Sequence, residues 1–370
     1  MSARVFPIFL VCLPGLEPQL ASEARELGFA NPTPVPGGVE TMGDWPEIWR
    51  ANLWLRGAGR VLVRLGSFRA MHLAQLDKRA RKFPFAEVLR ADRPVRIEAN
   101  CTRSRIYHKG AAAQRVAGAI TDQLGCAVTQ DAGLRLIVRI EDDLVTLSLD
   151  VSGEGLHQRG HKQSIGKAPL RETMAALLLR AMGYTGREPV IDPMCGSGTF
   201  VLEAAEIAAG LAPGRSRSFA FEDLAGFDPQ PWAEMQEAGR TAKCAPPLQY
   251  LGFDRDQGAI RASIENAARA SVSACTSFAC QPVSALVRPD TAPGIMMVNP
   301  PYGGRIGNPK QLFGLYAQLG AKFREEFQGW RLGLITSDRK LAHATGLPLE
   351  GGPILPHGGL KIRLYQTPAG

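Results

Sequence analysis

A chain of 370 residues, 45% apolar and 21% charged, has the composition of a globular protein long enough for two or more domains, each with its own core. No apolar run approaches the eighteen or so residues of a membrane span, and no segment is disordered by composition. The net charge is +8 with a pI near 9.3, so the distribution of the excess is the first thing to follow along the chain.

The apolar stretch from Val5 to Leu13 follows Arg4, as a secretory leader would, but Pro7 interrupts it and no small-residue cleavage site follows. It is read as a strand feeding a turn at Pro14-Gly15. Leu16, Leu20, Ala24 and Leu27 predict a helix over 18–28, Pro32 to Gly38 a loop, and 61–65 a strand. Between Arg50 and Arg115 stand 16 Lys and Arg against four acids, an excess larger than that of the whole chain. Lys78, Arg79, Arg81 and Lys82, followed by Arg90, Arg93, Arg96, Arg103, Arg105, Tyr107 and Lys109, form a footprint suited to phosphates, the alternative being a solvated helix face. Strands are predicted over 95–101, 135–141 and 143–151, with a turn at Asp142, and a helix over 111–124. This first part is an α+β module. The seven cysteines form no Cys-x-x-Cys pair and no zinc pattern with the six histidines, so reduced thiols, a cytoplasmic protein and no metal are expected.

After a Gly-rich basic connection from Gly153 to Lys167, Pro169 opens a helix running to Met182. The pattern then alternates strand and helix: 189–192, 199–209, 249–254, 256–270 and a strand 294–298. That spacing predicts a parallel, doubly wound sheet, whose ligands bind beyond the carboxyl ends of the strands. The unusual residues fall at those ends. Gly196 and Gly198 permit close approach of backbone to ligand, with the Asp192 carboxylate beside them. The loop lacks both the Gly-Lys-Ser/Thr of a P-loop and the third glycine of a dinucleotide fingerprint, and a carboxylate disfavours phosphate, so a ligand carrying an amine or sulfonium suits it better. Asp254 is placed to bind ribose hydroxyls, or to cap the helix that follows. Asn299-Pro300-Pro301-Tyr302 is either a proline turn closing a strand or a grip on a planar amine. In the second reading the Asn299 side-chain oxygen and the Pro300 carbonyl each accept an N–H, and Tyr302 offers a flat face to a base.

Asp192-Pro193-Met194-Cys195-Gly196-Ser197-Gly198-Thr199, taken with Asn299-Pro300-Pro301-Tyr302-Gly303, resembles the S-adenosylmethionine-dependent methyltransferases of exocyclic amines. Leu156-His157-Gln158-Arg159-Gly160, Ala168-Pro169-Leu170-Arg171-Glu172-Thr173, Gly329-Trp330 and Gly358-Gly359-Leu360-Lys361 are similar to segments of the bacterial large-subunit (23S) rRNA guanine-N2 methyltransferases. The resemblance covers essentially the whole chain, most strongly 155–310. It implies an α/β fold: a ferredoxin-like segment over 1–50, a THUMP-like RNA-binding domain over 51–154 and a Rossmann-like class I methyltransferase domain over 155–370. Longer relatives carry a second methyltransferase domain, which a sequence ending at Gly370 is expected to lack.

By position, the resemblance implies that Asp192, Cys195, Gly196, Gly198 and Thr199 line the methionine part of S-adenosylmethionine, with Pro169 flanking the pocket and Asp254 on the ribose. Asn299, Pro300, Pro301 and Tyr302 would hold the guanine, and the basic residues Lys78 to Lys109 the RNA. Pro282 stands where the family has an acid near the adenine, leaving Gln281 or Ser284 as substitutes. The expected partner is 23S rRNA or a ribosome assembly intermediate, with no membrane and no obligate protein partner. The alternatives are a tRNA guanine-N2 enzyme, a DNA adenine-N6 enzyme, or a non-catalytic RNA-binding protein on this scaffold.

Overall fold

Burial follows a period of two along β1 (Phe6–Val11), where Phe6, Ile8 and Leu10 are buried and Pro7 is exposed, as in a strand with one face on a core. The computed structural model describes residues 4–162, 170–241, 249–302 and 309–368. The elements of the first part follow as α1 (Glu17–Glu26), β2 (Ala30–Val35), β3 (Gly38–Gly43), α2 (Trp45–Trp54), β4 (Arg60–Arg69) and α3 (Leu73–Ala80). Then come β5 (Val95–Thr102), α4 (Lys109–Leu124), β6 (Val128–Thr129), β7 (Leu134–Glu141) and β8 (Leu144–Asp150). They form one sheet in the order β2-β3-β1-β4-β8-β7-β5-β6, antiparallel except where β5 pairs with β6 and β7.

The loop expected over Pro32 to Gly38 is instead largely strand β2, paired with β3. It is the outermost strand, where a proline without an N–H forfeits no bond to a neighbour, so Pro32 and Pro34 are tolerated. The turn at Asp142 takes two residues, Asp142 (φ 50) and Asp143 (φ 60), the left-handed pair of a tight hairpin turn. Helix α2 escaped the sequence reading although its start is marked: the Asp44 side chain accepts the Glu47 N–H at 3.2 Å, and Pro46 sits in the first turn.

The second half of the sequence contributes α5 (Glu172–Ala181), β9 (Val190–Asp192), α6 (Thr199–Ala209), α7 (Pro229–Arg240), β10 (Tyr250–Asp254), α8 (Gln257–Arg269) and β11 (Thr276–Cys280). It continues with β12 (Ile295–Val298), α9 (Pro309–Glu326), β13 (Arg331–Thr336), α10 (Arg339–Ala344), β14 (Glu350–Gly351), β15 (Leu355–His357) and β16 (Leu360–Gln366). The sheet runs β11-β10-β9-β12-β13-β16-β14, with β15 on β16. Strands β9 to β13 are parallel and β16 is antiparallel to β13. The chain moves outward from β9 to β10 and β11, then returns to β12 on the other side of β9, which makes the end of β9 the switch point. Every residue of β9 and β12 is buried, which is why both read as short apolar runs.

By contact density the chain forms two compact units, one of residues 1–12, 21–156 and 217–238, the other of 13–20, 157–216 and 239–370. The return of 217–238 to the first unit is not announced by the alternation of elements. Its aromatic side chains explain it: Phe221 stacks 5.9 Å from Trp49 and meets Trp232 edge-on at 4.9 Å. In the second unit, α6 is buried nearly all round and carries two acids. Glu203 pairs with Arg159 (3.0 Å) and Glu206 with Arg215 (2.8 Å), and His161 Nε2 lies 2.8 Å from the Glu206 carboxylate. Among the described residues no helix is long and apolar enough to cross a membrane.

Candidate functional site

Asp192 closes β9 with its side chain buried, accepting the Met194 N–H at 2.9 Å. Burial pushes its carboxyl up to about 8; the Met194 bond opposes the shift, and the nearby Asp254 charge adds to it. The loop that follows is pinned to the neighbouring strand. Cys195 N–H donates to the Phe253 carbonyl at 2.8 Å, and Gly196 N–H to Asp254 Oδ2 at 3.0 Å. Ser263 of α8 donates to the Gly196 carbonyl at 2.9 Å, while Asp254 Oδ1 accepts the Asp256 N–H at 2.9 Å. Asp254 therefore ties two strand ends together and retains lone pairs for a ligand. The helix N-cap weighed for Asp254 is filled instead by Asp256, which accepts the Gly258 N–H at 2.7 Å.

The two glycines of this loop differ. Gly196 has φ 54, and a Cβ there would meet nothing within 4 Å, so its backbone borders open space. Gly198 has φ 84, and a Cβ would press on Ser263 Oγ at 3.1 Å and Phe278 Cε1 at 3.2 Å. Gly196 thus faces the cavity, whereas Gly198 is required for packing of the loop on α8 and β11. Burial, followed by the Asp192 and Asp254 charges, holds the Cys195 thiol far above its ordinary value, which favours the protonated thiol.

These residues border a cavity of about 880 Å³. Asp192, Cys195, Gly196, Thr199 and Asp254 contribute one side of it. Asn299, Pro300, Pro301 and Tyr302, which follow β12, contribute the other. The Asn299 side-chain oxygen is buried and has no hydrogen-bond partner among the described residues. Tyr316 of α9 donates its hydroxyl to the Pro301 carbonyl at 3.3 Å, which restrains the turn, and burial raises the Tyr316 phenol well above its usual range. Gln281 and Pro282 both line the cavity, and the Gln281 N–H donates to the Asp254 carbonyl at 2.9 Å. Ser284, the other candidate substitute, is not part of the wall. Pro169 lies outside the described residues.

Sequence reasoning missed two contributors. Lys162, nearly buried, donates to Thr199 Oγ1 at 2.7 Å and pairs with Glu172 at 2.7 Å. Helix α9 supplies Leu312, Leu315 and Gln318 to the wall. Its signal was present in the helical spacing of Leu312, Leu315, Tyr316, Leu319 and Phe323.

In the first unit the basic residues divide by partner. Arg81 is held by Asp77 at 2.9 Å and by Asp122, and Arg103 by Glu141 at 2.7 Å and Asp142 at 3.1 Å. Arg105 lies 3.9 Å from Asp143. Lys78, Arg79, Lys82 and Lys109 are exposed and form no ion pair among the described residues. Tyr107, 83% exposed, stands between Arg105 and Lys109. The free charge therefore concentrates on α3 and the start of α4.

A parallel sheet with a buried acid at the first strand end, a second acid at the next and an Asn-Pro-Pro-Tyr turn at the fourth defines a Rossmann-like methyltransferase domain. The chain belongs to the family described as RMKL-like, methyltransferase domain, which matches residues 159–348, and residues 7–62 match the RlmL ferredoxin-like domain. The ribosomal RNA large subunit methyltransferase K/L of Chromohalobacter salexigens is 33% identical over 100% of this chain and 53% of its own length. The chain spans about half the length of the curated relatives it matches. Two solved structures match throughout. A possible methylase from Clostridium difficile 630 superposes with a TM-score of 0.88 at 28% identity, covering 99% of both chains. A predicted N6-adenine-specific DNA methylase from Listeria monocytogenes gives 0.88 at 29% identity, covering 99% of this chain and 97% of the other.

Proposed function

We propose that this chain transfers a methyl group from S-adenosylmethionine to the exocyclic N2 amine of a guanine in RNA, with large-subunit ribosomal RNA as the substrate. The observation that carries the reading is the buried Asn299 oxygen, without a partner among the described residues, in the wall of the same cavity as Asp192, Gly196 and Asp254. A buried acceptor without a donor is costly, and an amine N–H would satisfy it. When bound, S-adenosylmethionine supplies a methyl group already activated on a sulfonium.

The residues of the cavity fit that cofactor. Gly196 leaves room where any other residue would place a Cβ, Asp254 keeps acceptor capacity for ribose hydroxyls, and Asp192 offers a carboxylate to a cationic ligand. Gln281, in the wall beside Pro282, is the polar group available to the adenine. Asn299 accepts one N–H of the guanine amine, which turns its lone pair toward the methyl carbon, and the buried Tyr302 gives the base a wall to lie against. With the cofactor bound, the amine nitrogen would take the methyl group while the sulfur keeps the electron pair of the broken carbon–sulfur bond, and the product nitrogen would give its proton to water. No strong base is needed beforehand, because the neutral amine attacks.

The THUMP-like reading of 51–154 assigns RNA phosphates to Lys78, Arg79, Lys82 and Lys109, and a stacked base to Tyr107. The ribosomal RNA methyltransferases at 33% identity support RNA as the substrate. A DNA adenine-N6 reading has one observation in its favour, the description of the Listeria relative at 29% identity. Incubation of the purified chain with S-adenosylmethionine and either ribosomal RNA or duplex DNA, followed by mass spectrometry of nucleosides, separates the two. N2-methylguanosine in the RNA arm is expected; N6-methyladenine in the DNA arm, with none of the former, would overturn the proposal.

A further inference from the structure

A second cavity, of about 810 Å³, opens in the catalytic unit between α10, β14 and β16. Its charged lining is Arg339 and His343 from α10, Lys361 and Arg363 from β16, and a single carboxylate, Glu350 of β14. Arg339 Nε donates to His343 Nε2 at 3.0 Å, which orients the guanidinium, and its other N–H groups form no further bond among the described residues. Arg363 donates to the Gly352 carbonyl at 3.0 Å, which fixes its side chain across the cleft. Lys361 is exposed, and its ammonium forms no hydrogen bond or ion pair among the described residues. Among the described residues Arg339, Lys361 and Arg363 thus face one exposed carboxylate, a balance that suits an anion over a divalent metal.

The register of the sheet gives this cleft its meaning. Val298 of β12 lies opposite Leu334 of β13, and Thr336 of β13 lies opposite Arg363 of β16. Arg363 therefore emerges at the same edge of the sheet as Asn299, which follows Val298, two strands along; at ordinary strand spacing that is about 10 Å sideways. Lys361 lies two residues further along β16, beyond the same edge. The cleft thus lies along that edge from the Asn299 turn, on one side to which a polyanion with its base in the turn can extend. Guanidinium forks and an ammonium match backbone phosphates in both charge and geometry.

We propose that the cleft of Arg339, Lys361 and Arg363 holds backbone phosphates of the RNA next to the target nucleotide. The proposal rests on the reading of RNA as substrate, and it gives the catalytic unit a nucleic-acid contact of its own, separate from the basic residues of the first unit.

The test uses the full chain and a large-subunit ribosomal RNA transcript, with affinity measured across a salt series. Arg339→Gln and Lys361→Gln should each weaken binding and lower the slope of log affinity against log salt by about 0.7, the increment for one phosphate on a single strand. Glu350→Gln should tighten binding, a change in the opposite direction that misfolding cannot mimic. Melting temperature and S-adenosylhomocysteine binding establish that each variant is folded. If the wild-type chain binds the transcript while both basic variants keep its affinity and slope, or Glu350→Gln fails to tighten it, the cleft assignment is overturned alone. If the wild-type chain does not bind RNA at all, the substrate reading falls and takes the cleft with it.

Discussion

Asp192→Asn isolates the energetic consequence of placing a carboxyl at the buried end of β9. In the folded chain burial holds that carboxyl's proton up to about pH 8, whereas in an unfolded chain it is lost near pH 3.9. Between those values the folded state carries the extra proton, so raising the pH favours the unfolded state and this group's contribution to stability falls. The slope is about 1.4 kcal/mol per pH unit, which accumulates to about 4 kcal/mol at pH 7. Asparagine keeps the acceptor for the Met194 N–H and has no proton to lose. The stability difference between Asp192→Asn and wild type should therefore grow by about 1.4 kcal/mol per unit from pH 5 to 7.5 and level off above pH 8. Thermal unfolding without cofactor reads it as a gap widening by about 3 °C per pH unit for a unit of this size. Other titrating groups act on both proteins alike and cancel. A gap that does not change with pH would refute the reasoning. A cationic ligand beside Asp192 should pull the proton off, so S-adenosylmethionine binding at pH 7 should release protons, detectable by calorimetry in buffers of different ionisation enthalpy.

Three further outcomes are expected. Gly198→Ala should lower stability by about 1–2 kcal/mol through a left-handed φ and contacts with Ser263 and Phe278, whereas Gly196→Ala should weaken cofactor binding more than stability; denaturant unfolding and cofactor titration distinguish them. Arg159→Met removes the guanidinium paired with the buried Glu203 carboxylate and should cost about 3–5 kcal/mol in urea unfolding. Replacing Lys78, Arg79 and Lys82 together by Gln should weaken RNA binding and flatten its salt dependence by about 2 in slope, with cofactor affinity kept as the control; an unchanged slope would remove α3 from the RNA interface.

How much of this was legible in the sequence depends on how local each signal is. The loops at Asp192 to Thr199 and Asn299 to Tyr302 could be read because each joins a short apolar run to residues with narrow chemical uses, and the parallel pairing of β9 to β13 follows from the alternation of strand and helix, whereas their order does not. The paired state of Arg81 and Arg103 could not be read, since Asp122 and Asp142 stand about forty residues away in sequence. For the same reason a plain count of charges overstates the phosphate footprint. Strand β2 was hidden because proline is a poor strand residue except at an edge, and edge position is a property of the whole sheet. The return of 217–238 to the first unit depends on Phe221 and Trp232 meeting Trp49, a contact between distant segments. The difference between Gly196 and Gly198 likewise appears only when Ser263 and Phe278 are in place.

The central claim is that Asn299 holds the amine and not the cofactor. Asn299→Ala should bind S-adenosylmethionine within about twofold of wild type by calorimetry while methyl transfer to ribosomal RNA falls by at least about a hundredfold, the scale of losing orientation at a reacting atom. Transfer that persists, or cofactor affinity that falls in step with it, would contradict the account.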